Sequence, residues 1–187
     1  MKSKIVVVDD FLVSSCLEKL RNYALSATVW HSTKVGGYLG TYIYDGFTPS
    51  VLHMLARELE EALPKVFDYG RHSLEMAWAY KYYFDGIKLH VDEAAVNANF
   101  WLSETLENNP QRGGIVIFRE EPPKGTPRSI YNNAAVNHHR IRQKLELNGH
   151  GKVEVEHRQN RLGKFCFSFC RREFYPLLTS IGMCVVK

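Results

Sequence analysis

The chain has 187 residues, of which 45% are hydrophobic and 12% aromatic, so it is long enough to bury the core of one domain. The net charge of +4 is too small to indicate a nucleic-acid or membrane partner by electrostatics alone. The apolar run Ile5 to Val8 is too short for an export signal or a membrane span, so we expect a cytoplasmic protein.

The N-terminal third predicts one strand and two helices. Ile5 to Val8 is β-branched and predicts a first strand. Apolar residues recur every three or four positions from Phe11 to about Thr28 and again from Pro49 to Phe67, which predicts two amphipathic helices. The aromatic, glycine-rich segment Trp30 to Tyr44 between them is interpreted as a loop with short strands. It either borders a functional site or is an ordinary connection.

Short strands are predicted from about residue 71 onward. The runs with strand character are Leu74–Tyr83, Ile87–Val91 after the turn signal Asp85-Gly86, Ala94–Leu102, Gly113–Phe118 and Val153–Arg158. Asn137 to Leu147 is interpreted as a short helix. Helices followed by short strands predict a single α+β domain over residues 1–187, built on an antiparallel sheet or barrel. Its expected parts are 1–70 (strand and helices), 71–161 (barrel strands) and 162–187 (an atypical tail).

A histidine and a carboxylate two positions apart form the candidate metal site. On an extended chain His90 and Asp92 point to the same side and can reach one ion. Nitrogen and carboxylate ligands with open positions suit iron(II). The alternative is that both side chains are hydrogen-bonded scaffolding.

The surrounding run extends this triplet into a larger pattern. Trp78 to Phe118, with His90-Val-Asp92, the strand Ala95-Val-Asn-Ala-Asn-Phe-Trp101 and Gly113-Gly-Ile-Val, resembles the Fe(II)- and 2-oxoglutarate-dependent dioxygenases of the prolyl-4-hydroxylase-like superfamily. The elements Tyr131-Asn-Asn133 and His157-Arg-Gln-Asn-Arg161 extend the resemblance to about residues 1–161.

The resemblance implies a double-stranded β-helix (a jelly-roll, cupin-like core) with the N-terminal helices packed on its major sheet. It implies that His90 and Asp92 are catalytic ligands of Fe(II). Tyr80, Tyr82, Asn97 and Asn99 on flanking strands are candidates to contact the co-substrate 2-oxoglutarate, with packing in the core or rim as the alternative for each. The implied enzyme is an oxidoreductase that couples decarboxylation of 2-oxoglutarate to hydroxylation of an unknown small-molecule or peptide substrate.

The resemblance ends at Arg161. The family has a second histidine ligand on a later strand and then a cation that pairs with the keto acid, but Arg171 stands at the histidine's position and no histidine follows His157. We therefore expect that the last strands are missing, that activity is in doubt, and that the tail has been replaced. His150 and His157 are weaker candidates as replacement ligands.

Two further hypotheses follow from this departure. One is a catalytically inactive jelly-roll that binds a small molecule or a protein partner. Sheet edges left by missing strands also favour a homo-oligomer. Binding of nucleic acid through the basic run His138 to Lys144 is disfavoured, because such a run is usually a solvated helix face.

Overall fold

The structure of the protein is a computed structural model. It describes residues 5–34, 36–65, 73–83, 87, 89–91, 94, 96–104, 113–118, 127, 129, 132, 141, 143, 151–165, 170–172 and 178–186. The predicted turn Asp85-Gly86 falls outside these residues, as do most of the predicted helix Asn137–Leu147 and most of the basic run His138–Lys144.

The described residues include two α-helices, one 3₁₀ turn at Ile43–Asp45 and ten strands. The helices are α1 (Ser14–Ser26) and α2 (Ser50–Ala62). The strands are β1 (Val6–Val8), β2 (Ser32–Lys34), β3 (Tyr38–Tyr42), β4 (Ser73–Tyr82), β5 (Val96–Trp101), β6 (Ile115–Phe118), β7 (Lys152–Val155), β8 (Leu162–Phe165), β9 (Cys170–Arg172) and β10 (Leu178–Val186). Both predicted helices are confirmed. The segment Trp30–Tyr44 contains two strands, while the described part of Ile87–Val91 forms only a single bridge, at His90.

The strands form two antiparallel sheets. The larger has seven strands in the order β1-β8-β5-β10-β4-β3-β2, and the smaller has three in the order β7-β6-β9. The chain is thus a mixture of helix and antiparallel sheet, as the sequence predicts. Among the described residues no helix has the length and apolarity to cross a bilayer. The cytoplasmic location stays a prediction.

Both helices pack on one face of the larger sheet. Their apolar residues, among them Leu20, Leu52 and Leu59, share one core with alternate residues of β4 and β5. The sheet residues of this core are Ala77, Ala79, Val96, Ala98 and Phe100. Because side chains alternate along a strand, the odd residues of β5 and the even residues of β4 from Met76 to Tyr82 face the other way.

The expectation that the last strands are missing is wrong. β10 pairs with β4 on one side and with β5 on the other, so the tail supplies a central strand of the larger sheet. β9 pairs with β6 in the smaller sheet. Strand pairing needs an extended backbone, and Leu178–Val186 favours one through its four β-branched residues, Thr179, Ile181, Val185 and Val186. The edge strands of the larger sheet are β1 and β2, and a homo-oligomer through such an edge stays a prediction.

Candidate active site on the inner face of the larger sheet

The face of the larger sheet opposite the helices is turned toward the smaller sheet, and we call it the inner face. Trp101, at the end of β5, packs against Ile115, Ile117 and Val155 of the smaller sheet, which fixes this orientation. Strand alternation and register place eight polar or aromatic residues there: Tyr38, Tyr42, Trp78, Tyr80, Tyr82, Asn97, Asn99 and Trp101. All four residues predicted to contact the co-substrate are among them.

Tyrosines form a contiguous group on β3 and β4. Tyr82 is fully buried, and the ring of Tyr38 lies with its centroid 5.3 Å from those of both Tyr80 and Tyr82. The hydroxyls of Tyr42 and Tyr80 are 3.2 Å apart and share a hydrogen bond. Gly40 leaves room for this arrangement, since a Cβ atom there would lie 3.1 Å from Cε1 of Tyr80. The group extends from the buried interior at β4 to β3, which lies next to the edge strand β2.

A lysine lies beside this tyrosine group. Lys34 pairs with Tyr38 across β2 and β3, and its Nζ is 4.9 Å from the ring centroid of Tyr42. Its Cε would be 3.4 Å from a Cβ atom at Gly40, which places the aliphatic stem on the side of Tyr80. The sequence pattern gave no sign of this residue, because only the pairing of β2 with β3 brings it to the inner face.

Two asparagines occupy the centre of the inner face. Asn97 and Asn99 lie on β5 and are only 2% and 1% exposed. The Oδ1 atom of Asn97 has no hydrogen-bond partner among the described residues. Because a buried amide without a partner is costly, this acceptor indicates that a bound polar group or water completes the site.

His90 lies next to the smaller sheet between two buried neighbours. Leu89 and Val91 are 4% and 0% exposed and pack with Val116 and Phe118. These β6 residues alternate with Ile115 and Ile117, which contact Trp101. On an extended chain His90 therefore points to the side of the inner face. Asp92 lies outside the described residues, so the pair remains a prediction, and within the described part of the chain no three potential ligands cluster around one point.

The backbone between the two predicted ligands is held by an asparagine side chain. The N–H of Val91 donates to Oδ1 of Asn132 at 2.8 Å, and Nδ2 of Asn132 donates to the carbonyl of Val91 at 2.8 Å. In the sequence, Asn132 stands out only as part of the element Tyr131-Asn-Asn133. Its pairing with a residue 41 positions away left no local signal.

Comparison with solved structures gives the fold. The carbocyclase SnoK from nogalamycin biosynthesis, described as non-haem and α-ketoglutarate-dependent, matches with a TM-score of 0.65 at 10% identity, over 98% of this chain and 79% of its own. A prolyl-4-hydroxylase from Pseudomonas putida matches with a TM-score of 0.61 at 12% identity, over 98% and 92%. HygX from Streptomyces hygroscopicus, solved with nickel and 2-oxoglutarate, matches with a TM-score of 0.61 at 14% identity, over 98% and 83%.

The chain has the fold of the iron- and 2-oxoglutarate-dependent oxygenases. No family model and no curated protein matches the sequence. At 10 to 14% identity the likeness concerns the fold, while the chemistry depends on the residues present.

Of the two candidate replacement ligands, the structure describes His157, which lies beside Ser103 and Trp101. Nε2 of His157 is 3.1 Å from Oγ of Ser103, and the His157 ring meets Trp101 edge-on at a centroid distance of 6.0 Å. Burial, with the nearby Arg161, lowers the pKa of His157 to about 4, so the ring is neutral at pH 7. His150 lies outside the described residues, and Arg171 lies opposite Val116 in the smaller sheet.

The element His157 to Arg161 attaches the N-terminal segment to the sheets. Asn160 binds both backbone groups of Leu12, and Arg158 and Arg161 both bind Asp9. Nε2 of Gln159 donates to the carbonyl of Leu102. In the sequence this element is part of the family resemblance. In the structure its residues join the N-terminal segment to the sheets.

Proposed function

We propose that the protein is an oxygenase that binds Fe(II) through His90 and Asp92 and binds 2-oxoglutarate on the inner face, within a double-stranded β-helix formed by the two sheets. The reaction would use O2 to couple decarboxylation of 2-oxoglutarate, which gives succinate and CO2, to hydroxylation of a small-molecule or peptide substrate. The observation that carries this proposal is that all four residues predicted to contact the co-substrate, Tyr80, Tyr82, Asn97 and Asn99, lie on one polar inner face in a chain with this fold.

The donor set on the inner face suits an anionic keto acid. Tyrosine hydroxyls and asparagine amides donate hydrogen bonds to carboxylate oxygens, and the ammonium of Lys34 adds a positive charge beside Tyr42. An imidazole and a carboxylate at residues 90 and 92 are donors that suit iron(II). When bound, iron with the keto acid supplies the oxidising chemistry, and the protein's residues orient the acid and exclude water.

Metal binding and turnover test the proposal separately. Anaerobic titration with Fe(II) or Mn(II) in the presence of 2-oxoglutarate should show one site with micromolar or tighter affinity. His90→Ala and Asp92→Ala should each abolish that affinity, whereas His53→Ala, which changes an exposed histidine on α2, should leave it unchanged. Succinate formation under air measures turnover. If wild-type protein takes up no metal at micromolar concentrations, the enzymatic proposal fails.

A second candidate is an inactive fold relative that binds a small molecule or a protein partner. It is favoured by Arg171, which stands in β9 where the family resemblance requires the second histidine ligand. This candidate predicts that 2-oxoglutarate or another dicarboxylate stabilises the protein in thermal unfolding without metal, and that Asn97→Ala removes that stabilisation. Metal-dependent succinate formation that is lost in Asp92→Ala would exclude it.

A further inference from the structure

The side-chain amide of Asn132 pairs with Val91 as a neighbouring strand would. It accepts from the Val91 N–H at 2.8 Å and donates to the Val91 carbonyl at 2.8 Å. Because one partner is an obligate donor and the other an obligate acceptor, the orientation of the amide is fixed by the backbone itself. The pair is reciprocal and partly buried.

The two bonds act on the two peptide groups that separate residues 90 and 92. The Val91 N–H belongs to the peptide plane that joins His90 to Val91, and the Val91 carbonyl belongs to the plane that joins Val91 to Asp92. Holding both planes leaves little freedom in the relative position of the two flanking Cα atoms. Among the described residues around them, His90 also takes part in a single bridge.

We propose that Asn132 is a positioning residue for the metal ligands, which fixes the backbone of His90-Val91-Asp92 so that imidazole and carboxylate meet one ion. This inference rests on the proposed function, since it assigns the ligands to residues 90 and 92. Groups that orient metal ligands without touching the metal typically change its affinity by about 10- to 100-fold. Because only two protein ligands are proposed, the metal affinity depends strongly on the position of each one.

The chain contains a matched control for this asparagine. Asn160 makes the same reciprocal pair with Leu12, with bonds of 2.8 and 2.7 Å, at a point where the N-terminal segment meets the sheets. Asn160→Gly keeps the positive φ of 61° accessible while removing the side chain. It therefore loses the same two bonds away from the candidate ligands.

The test compares Asn132→Ala, Asn132→Gln and Asn160→Gly with wild type. Mn(II) affinity is measured by anaerobic titration in the presence of 2-oxoglutarate. It should fall about 10- to 100-fold in Asn132→Ala and change less than about twofold in Asn160→Gly. Asn132→Gln retains the amide and should recover part of the affinity. Hydrogen exchange of the Val91 amide in metal-free protein should accelerate by more than the loss of global stability explains in Asn132→Ala, but not in Asn160→Gly.

Each result decides between the two proposals. Unchanged metal affinity in folded Asn132→Ala overturns the positioning role and leaves the proposed function intact. Equal losses of affinity in Asn132→Ala and Asn160→Gly also overturn it, because the effect is then general destabilisation. If wild type binds no metal, the proposed function fails. Faster exchange of the Val91 amide in Asn132→Ala would then still support the role of Asn132 in holding the backbone of residues 90–92. Unchanged exchange would refute that role.

Discussion

Asn160 makes two side-chain hydrogen bonds to the backbone of Leu12. With two further backbone hydrogen bonds, it connects the N-terminal segment to the larger sheet. Its side chain binds the Leu12 N–H and carbonyl at 2.8 and 2.7 Å, its own N–H donates to the Trp101 carbonyl at 2.9 Å, and its carbonyl accepts from the Phe11 N–H at 3.0 Å. The backbone adopts a φ of 61°, a conformation that asparagine tolerates better than most residues. One residue thereby joins the start of the chain to the end of β5.

Removal of the Asn160 side chain should destabilise the protein without affecting the inner face. Asn160→Gly leaves two buried backbone groups of Leu12 unpaired, so the free energy of unfolding should fall by about 2 to 4 kcal/mol. Asn160→Ala should cost more, because alanine disfavours the positive φ. Urea unfolding measures both, and equal stabilities of Asn160→Gly and wild type would contradict the role assigned to this contact.

The buried His157 should make stability depend on pH between about 4 and 6.5. The pKa of His157 is lowered by burial to about 4, below the value of 6.5 for a free histidine, so the unfolded chain binds the proton first as the pH falls. Stability is therefore full above pH 6.5 and decreases down to about pH 4. From pH 7 to pH 5 the loss from this group should be about 2 kcal/mol. Urea unfolding of wild type and His157→Gln at pH 7 and pH 5 isolates the contribution of His157. The variant should lose less free energy of unfolding between the two pH values than wild type does.

Gly114 should not tolerate a side chain. A Cβ atom there would collide with the carbonyl oxygen of Val155 and lie 3.2 Å from Cα of Glu156, both of which are backbone atoms. Gly114→Ala should therefore cost about 2 kcal/mol or more by forcing β6 and β7 apart. Gly163→Ala is the matched control, since the nearest atoms to its Cβ would be 3.9 and 4.0 Å away. Similar melting temperatures for the two variants would refute this prediction.

Lys34 should contribute to binding of an anionic co-substrate. Lys34→Met retains much of the aliphatic stem beside Tyr42 and removes the charge, so the Kd for 2-oxoglutarate should rise about tenfold, as for loss of one charge-assisted contact. Lys81→Met is the control, because the Lys81 Nζ lies over the Trp30 ring at 4.1 Å. Calorimetric titration of 2-oxoglutarate measures both, and an unchanged Kd in Lys34→Met would remove Lys34 from the site.

The elements that the sequence determined are those with a local period. The three- and four-residue spacing of apolar residues predicted α1 and α2, alternation predicted β4 and β5, and the short apolar run after Gly113-Gly114 predicted β6, all within a few residues of their observed bounds. The triplet at residues 90–92 and the asparagines of β5 were also visible, because they lie within one short run. Local geometry alone relates such residues to one another.

The tertiary structure decided which of these residues meet. Asn132 reaches Val91 over 41 positions and Asn160 reaches Leu12 over 148, and neither pairing is encoded in a local pattern. The same holds for the tail, whose strand β10 enters the larger sheet between β4 and β5 although its residues depart from the family pattern. Strands pair through backbone N–H and C=O groups, and every residue except proline carries both. The pairing partner of a strand therefore depends on the assembled sheet and not on the local sequence.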